Sequence, residues 1–197
     1  MFKYLVIIGA VVNLFGSFWY IRETLRGENK PNKVTWLMWF IAPFIATAAA
    51  ISDGAGWAVL PVFMSGFCPF LVFLASFVNP KAYWKLGFFD YLCGFFSILA
   101  LVLWGITKEP SLAIIFAIIS DGFAAVPTLI KCWKYPETET SSAYFTGLFN
   151  SLTSFAAIRM WGFSEYAFPV YLVIMNSLLL FSVFKKRLFF SLSKFFV

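Results

Sequence analysis

Four side chains that form strong hydrogen bonds lie deep inside long apolar runs of this 197-residue sequence: Asn13, Asp121, Asn150 and Asn176. Asp121 follows Pro110 by 11 residues, so a helical rise of 1.5 Å per residue places it about 15 Å from that end of its run. An unpaired polar group in hydrocarbon costs several kcal/mol. The four side chains must therefore face the protein interior or a water-filled cavity.

Two interpretations account for these polar groups. The first is a central binding site, in which three amides and one acid offer directional hydrogen bonds to a small polar solute. The second is interhelical bonding, in which each side chain holds a neighbouring helix for about 1 kcal/mol. The similar depth of the four groups favours the site, because pairing between helices does not require a shared depth.

Asp121 has a second predicted role, the coupling of solute movement to protons. At membrane depth a protonated acid is lower in free energy than a buried carboxylate, so access of water from either side would control its charge. The sequence contains no histidine, which leaves Asp121 as the leading candidate for proton coupling. Asp90, five residues after Lys85, is a shallower candidate whose alternative role is a structural pairing at that end.

The same inventory argues against catalysis. Without histidine the sequence lacks the commonest metal ligand and most catalytic triads. The three cysteines are scattered over separate apolar runs and show no metal-ligand spacing. No nucleophile–base pair or phosphate-binding loop is evident, so we expect no enzymatic activity, no metal and no cofactor.

The composition predicts an all-α membrane protein. Hydrophobic residues make up 61% of the chain and charged residues 12%, with a mean hydropathy of +0.85. A soluble domain normally has about a quarter of its residues charged. Seven apolar runs approach the length of about 20 residues that a bilayer requires. These predicted spans are 3–21, 34–51, 57–78, 85–107, 110–130, 141–159 and 166–184.

The positive charges predict the orientation of these spans. Lys and Arg concentrate in alternate connections, which the positive-inside rule assigns to the cytoplasm. The N-terminus is then outside and the C-terminus cytoplasmic, and we expect a multi-pass protein of the plasma (inner) membrane. Anionic lipid headgroups explain the basic balance, so no nucleic-acid partner is expected. The residues on the cytoplasmic side are Arg22, Arg26, Lys30, Lys33, Lys81, Lys85, Lys131, Lys134, Lys185, Lys186, Arg187 and Lys194.

The chain also contains a weak internal repeat. An offset near 108 residues aligns "VVNLFGSFWYIRETL" with "ISDGFAAVPTLIKCW" and "LPVF" with "FPVY". Both copies start on the same side, so the pattern predicts two parallel three-helix bundles joined by one extra span, a 3+1+3 layout. The predicted units are 1–80 (first bundle), 81–108 (linker helix), 109–188 (second bundle) and 189–197 (basic, aromatic cytoplasmic tail).

The stretch "AVPTLIKCWKYPETETSSAYFTGLFNSLTSF" resembles a PQ-loop repeat, with Pro127-Thr128 where that motif has Pro-Gln. Together with the layout, this makes the chain similar to the SWEET/PQ-loop superfamily of seven-helix membrane transporters. The resemblance implies a substrate site between the bundles, flanked by asparagines of the third and seventh helices. Asn176 matches the seventh-helix asparagine, whereas Cys68 stands at the third-helix position.

Tryptophans and prolines complete the predicted machinery. Trp36 and Trp39, near the cytoplasmic end of the second span, would form a gate or a stacking wall for the substrate, with interface anchoring as the alternative. Prolines inside helices free backbone carbonyls and introduce kinks, which would let a bundle rock. The predicted hinges are Pro43, Pro127, Pro61 and Pro169.

The sequence therefore predicts a carrier for a small polar solute (a sugar, an amino acid or a nucleoside-like compound) that works by alternating access. Proton coupling through Asp121 is part of this hypothesis. The alternative is a seven-helix ligand or cargo receptor on the same scaffold, without transport. Membrane lipids are expected partners. A homo-oligomer is possible but not required, because seven spans can enclose a cavity without a partner chain.

Overall fold

The regular secondary structure of the described residues is entirely helical. The computed structural model describes the backbone of residues 2–82, 84–107 and 109–193, and the side chains of 4–82, 84–99, 101–103, 105–107 and 109–185. These parts form seven α-helices and contain no strand. The helices are α1 (Phe2–Arg26), α2 (Lys33–Ser52), α3 (Val59–Ala75), α4 (Phe88–Thr107), α5 (Pro110–Lys134), α6 (Ser142–Phe155) and α7 (Phe163–Ser193), and a 3₁₀ turn, Pro136–Thr138, precedes α6.

Five helices of the described chain are long and apolar enough to cross a membrane: α1, α2, α4, α5 and α7. The other two are shorter than the predicted spans 57–78 and 141–159. α3 has 17 residues and α6 has 14, so at 1.5 Å per residue they are about 26 and 21 Å long. A hydrocarbon core is about 30 Å thick. The predicted spans 57–78 and 141–159 therefore extend beyond the helices, because apolar turn residues continue both runs.

The ends of α1 and α2 follow from local chemistry. Gly27, which follows the last residue of α1, has φ +77°, a conformation that glycine adopts without a steric penalty. Asn32 precedes α2, and its Oδ1 accepts hydrogen bonds from the backbone N–H groups of Val34 (3.1 Å) and Thr35 (3.3 Å). This N-cap satisfies two of the donors that a helix start leaves unpaired.

The helices pack in an ordered pattern. α1 packs against α3 and α6, while α5 packs against α7 and α2. α2 also packs against α3, and α6 against α7. Within the described chain, α1 does not pack on α2, and α5 does not pack on α6. α4 lies on the outside, against α5 and to a smaller extent α2.

The outer surface of this bundle is apolar. Phe15, Phe88 and Ile106 are 71%, 82% and 72% exposed, which no soluble surface of this extent would tolerate. The interface between α2 and α5 is instead built from small residues that let the helices approach closely. Fully or almost fully buried alanines supply it: Ala42, Ala46, Ala49, Ala113 and Ala117.

Four of the prolines occupy helix interiors: Pro43 in α2, Pro69 in α3, Pro127 in α5 and Pro169 in α7. Pro61 is the third residue of α3. In that first turn an N–H has no helical acceptor, so proline breaks no hydrogen bond there. The hinge prediction thus has a structural basis at Pro43, Pro127 and Pro169 and a weaker one at Pro61.

Candidate functional site

A single central cavity collects most of the predicted polar residues. Six helices line it, and none of its described lining residues comes from α4. Its volume of ≈ 60 Å³ leaves room for a few water molecules. The lining residues are Asn13, Ser17, Trp36, Trp39, Ser65, Cys68, Pro69, Asp121, Ala143, Tyr144, Gly147, Leu172, Met175, Asn176 and Leu179.

Asp121 is the one acid among the described lining residues of this cavity. It is 3% exposed, and its Oδ2 accepts a hydrogen bond of 2.7 Å from the hydroxyl of Tyr171 on α7. Trp39 Nε1 reaches the backbone oxygen of Asp121 at 3.4 Å. None of the described lining side chains is Lys or Arg. The carboxyl group is therefore held by a neutral hydroxyl and has no cationic partner in the cavity walls.

The two amides of the cavity come from opposite halves of the chain. Asn13 Oδ1 on α1 lies 3.5 Å from the hydroxyl of Thr146, and Asn176 Nδ2 on α7 donates to the oxygen of Leu172 at 2.8 Å. Gly147 makes room for the second amide, because a Cβ at this position would lie 2.8 Å from Asn176 Oδ1. The close approach of α6 and α7 thus holds Asn176 at the cavity.

Aromatic rings form one wall and cover one end of the cavity. The rings of Trp36 and Trp39 pack at 5.2 Å, and Trp36 lies nearly parallel to Tyr144 at 6.5 Å. Tyr20, at 4.9 Å from Trp36, extends the cluster away from the cavity. The tryptophans are 2% and 7% exposed, so interface anchoring does not describe them.

A buried ion-pair network lies behind these rings. Lys131 Nζ contacts Glu139 Oε1 and the backbone oxygen of Lys30, and both side chains of the ion pair are fully buried. Glu139 Oε2 accepts from the hydroxyls of Tyr20 (2.8 Å) and Tyr144 (3.1 Å). The network ties α1, α5 and α6 together at one end of the bundle and closes that end.

Five of the predicted binding residues meet at the central cavity: Asn13, Asp121, Asn176, Trp36 and Trp39. The sixth, Asn150, does not line it.

Asn150 is fully buried, and its Nδ2 donates to the oxygen of Pro61 at 2.9 Å. It therefore links α6 to the start of α3.

Asp90, the second predicted proton-coupling acid, also lies outside the cavity lining. Its carboxylate accepts from Asn32 Nδ2 at 2.5 Å and from the N–H of Gly87 at 2.6 Å, which fixes the start of α4 against the start of α2.

Sequence reasoning missed Tyr144, Tyr171 and the Lys131–Glu139 pair. The offset of 108 residues could have indicated Tyr144, because it is the counterpart of Trp36. Four pairs of residues related by this offset line the cavity together: Asn13 and Asp121, Trp36 and Tyr144, Trp39 and Gly147, Cys68 and Asn176.

No signal pointed to Tyr171 among many aromatic residues. Lys131 was counted with the loop charges, although it is 1% exposed.

The described residues bring no three His, Cys, Asp or Glu side chains together as a metal site.

Comparison with known proteins identifies no relative. The chain matches no protein-family model. Neither the curated proteins nor the solved structures contain a significant match to it. The function must therefore be argued from the residues of this chain.

Proposed function

We propose that this protein is an integral membrane carrier that moves a small polar solute by alternating access. The observation that carries the proposal is the central cavity, which joins amides, aromatic rings and one acid inside an apolar helical bundle. A polar cavity at the centre of a membrane bundle needs a function that offsets its cost, and a solute site near the midplane is the usual one.

A 3+1+3 architecture of the SWEET/PQ-loop kind is part of this proposal. The helix packing supports it: exchanging α1 with α5, α2 with α6 and α3 with α7 leaves the pattern of contacts among these six helices unchanged. The four counterpart pairs around the cavity agree with the same exchange. α4 has no counterpart in it and would be the linker helix.

The proposed orientation puts the N-terminus outside and the C-terminus in the cytoplasm of a plasma (inner) membrane. Basic residues near the end of α1 and the end of α5 support it. In this orientation the buried ion-pair network closes the cytoplasmic end of the cavity.

Alternating access would open and close this end as the two bundles rock. Tyr144 belongs to both regions, since it lines the cavity and donates to Glu139. Opening would therefore separate Glu139 from its hydroxyl partners and displace one cavity wall in the same movement. Protonation of Asp121 would remove the charge of the empty cavity and couple the movement to protons.

Transport assays in proteoliposomes test the carrier proposal. Purified protein is reconstituted in phosphatidylethanolamine/phosphatidylglycerol vesicles, and uptake of a hexose, a nucleoside, a zwitterionic amino acid and an organic cation is followed with and without a pH gradient. We expect saturable uptake of at least one solute class, above that of empty vesicles. The absence of uptake for every class, with intact reconstituted protein, would refute the proposal.

A receptor on the same scaffold is the second candidate function. The ion-pair network favours it, because a fully buried pair of Lys131 and Glu139, with the hydroxyls of Tyr20 and Tyr144, holds α1, α5 and α6 together. A solute that binds tightly to the purified protein but never crosses the vesicle membrane would replace the carrier by a receptor.

A further inference from the structure

The charge of the central cavity restricts the solutes that it can hold. Asp121 is its one charged lining residue among the described side chains. In a low-dielectric interior an uncompensated carboxylate is strongly unfavourable. A neutral solute cannot compensate this charge, whereas a proton or a monovalent cation can. An anionic solute would add a second negative charge.

Several hydrogen-bond donors around the cavity are engaged. Tyr171 donates to Asp121, Tyr144 to Glu139, and Ser65 to the oxygen of Val62 at 2.6 Å. Asn176 uses an amide N–H on its own helix. The oxygens of Asp121, Asn176 and Ser65 remain as acceptors. They can accept hydrogen bonds from N–H or O–H groups of a solute.

Donors remain as well. Asn13 uses its Oδ1 toward Thr146, which leaves the N–H groups of its amide for a hydroxyl oxygen carried by the same solute.

The aromatic wall adds a third constraint. Trp36, Trp39 and Tyr144 pack with their centroids 5.2 to 6.5 Å apart beside Asp121. Aromatic faces attract ammonium and guanidinium groups, most strongly when water is excluded. Rings next to a carboxylate attract an organic cation and so offset part of the solvation free energy that it loses on entering the cavity. A neutral isostere lacks this attraction.

We propose that the cavity binds a small monovalent organic cation of the ammonium or guanidinium class, in competition with a proton at Asp121. The inference rests on the proposed carrier function and narrows its substrate. Because one carboxylate holds either the cation or the proton, the protein exchanges them one for one across the membrane.

The titratable groups facing Asp121 are few. Tyr171 on α7 contacts it directly, and Cys68 on α3 and Tyr144 on α6 line the same cavity. From α2, Trp39 contacts Asp121, and its indole does not titrate. From α4, Ser97 contacts the neighbouring Ser120, and these hydroxyls do not titrate either. Asp121 is thus the group whose titration controls the charge of the site.

Pairs of isosteres that differ only in charge test the substrate class. Guanidinium is compared with urea, and choline with 3,3-dimethylbutan-1-ol, in titration calorimetry of the purified protein. We expect each cation to bind at least tenfold more tightly than its neutral isostere. Equal binding within a pair would overturn the inference.

Transport then tests the exchange. Vesicles with an acidic lumen should accumulate guanidinium or choline about tenfold for each pH unit of gradient. Choline has no N–H proton and guanidinium keeps its protons at neutral pH, so trapping of a neutral base cannot imitate this result. Asp121→Asn should abolish the accumulation, whereas Asp53→Asn, a matched change of an exposed acid, should leave it intact.

The outcomes separate this inference from the carrier proposal. Uptake of a hexose or an amino acid without uptake of either cation would refute the cation class and leave the carrier standing. Uptake of cations that ignores the pH gradient would refute the competition with protons. If no solute moved or bound, both proposals would fall together.

Discussion

Two buried acids of this protein, Asp121 and Glu139, have opposite surroundings. Glu139 is 6% exposed and is satisfied on both oxygens, by the ammonium of Lys131 and by the hydroxyls of Tyr20 and Tyr144. Asp121 is 3% exposed, accepts from the hydroxyl of Tyr171 and borders a cavity that has no Lys or Arg among its described lining residues. Glu139 thus lies inside a complete network, whereas Asp121 faces a cavity on one side.

The surroundings of the two acids suit different roles in the proposed carrier, Glu139 in closing one end of the bundle and Asp121 in binding the solute. A fully paired carboxylate resists change, because removal of any partner leaves a buried charge uncompensated. In the proposed carrier, a carboxylate that meets only a neutral donor beside a cavity would accept an incoming cation or proton. Tyr144 touches both regions, so a displacement of its ring would change the ion-pair network and the cavity together.

The largest effect is expected at the closed end. Lys131→Met leaves Glu139 buried without its cation and should lower the free energy of unfolding by about 3–5 kcal/mol. Thermal unfolding in detergent measures the change. Lys131→Met combined with Glu139→Gln should recover most of the loss, and Lys134→Met, at an exposed lysine one helical turn away, should change little. An equally unstable double variant would contradict the ion-pair account.

Asp121→Asn should give the opposite result, a functional loss with little loss of stability. Asn keeps the shape of the side chain and can still accept from Tyr171, but it cannot compensate a cation. We expect cation binding to weaken roughly 30- to 100-fold, or about 2–3 kcal/mol, in titration calorimetry. If this variant were as unstable as Lys131→Met, Asp121 would be a structural acid like Glu139.

The sequence located Asp121, the acid of the cavity, better than Glu139, the acid of the ion pair. Depth along an apolar run indicated Asn13, Asp121 and Asn176, because a polar group far from both membrane faces has few alternatives to an interior site. The same reasoning cannot find Lys131, since a lysine at the end of a run normally reaches the interface. Its burial depends on Glu139, which follows a turn that the sequence pattern does not define.

The fold shows the same limit. Hydropathy predicted the five long helices but overestimated α3 and α6, whose ends are set by turns within apolar sequence. Depth also failed for Asn150, which bonds to the oxygen of Pro61 instead of facing the cavity. A helix pattern gives the depth of a residue, whereas the direction it faces depends on how neighbouring helices pack.

A smaller effect is expected from the hydroxyl that holds Asp121. Tyr171→Phe removes a hydrogen bond to a charged group, worth about 1.5–3 kcal/mol, but leaves the carboxylate in place. Loss of this donor disfavours the ionised acid, so cation binding should weaken about tenfold at acidic pH and less at alkaline pH. Tyr166→Phe on the same helix is the control. A loss independent of pH would show that the hydroxyl contacts the solute instead.

The smallest effect is expected at Gly147, where a Cβ would lie 2.8 Å from Asn176 Oδ1. Gly147→Ala should displace the amide and weaken cation binding about two- to fivefold, with a stability change of roughly 1 kcal/mol. Gly105→Ala is the matched control, because a Cβ there meets nothing within 4 Å. Unchanged binding in Gly147→Ala would remove Asn176 from the site.

Proton release on cation binding tests the central claim most directly. Guanidinium is titrated into the purified protein in buffers of different ionisation enthalpy, at several pH values, and the number of protons released is obtained from the slope. Competition at Asp121 predicts a release that rises toward one proton per cation as the pH falls and that disappears in Asp121→Asn. Binding without release in the unmodified protein, or the same release in Asp121→Asn, would contradict the account.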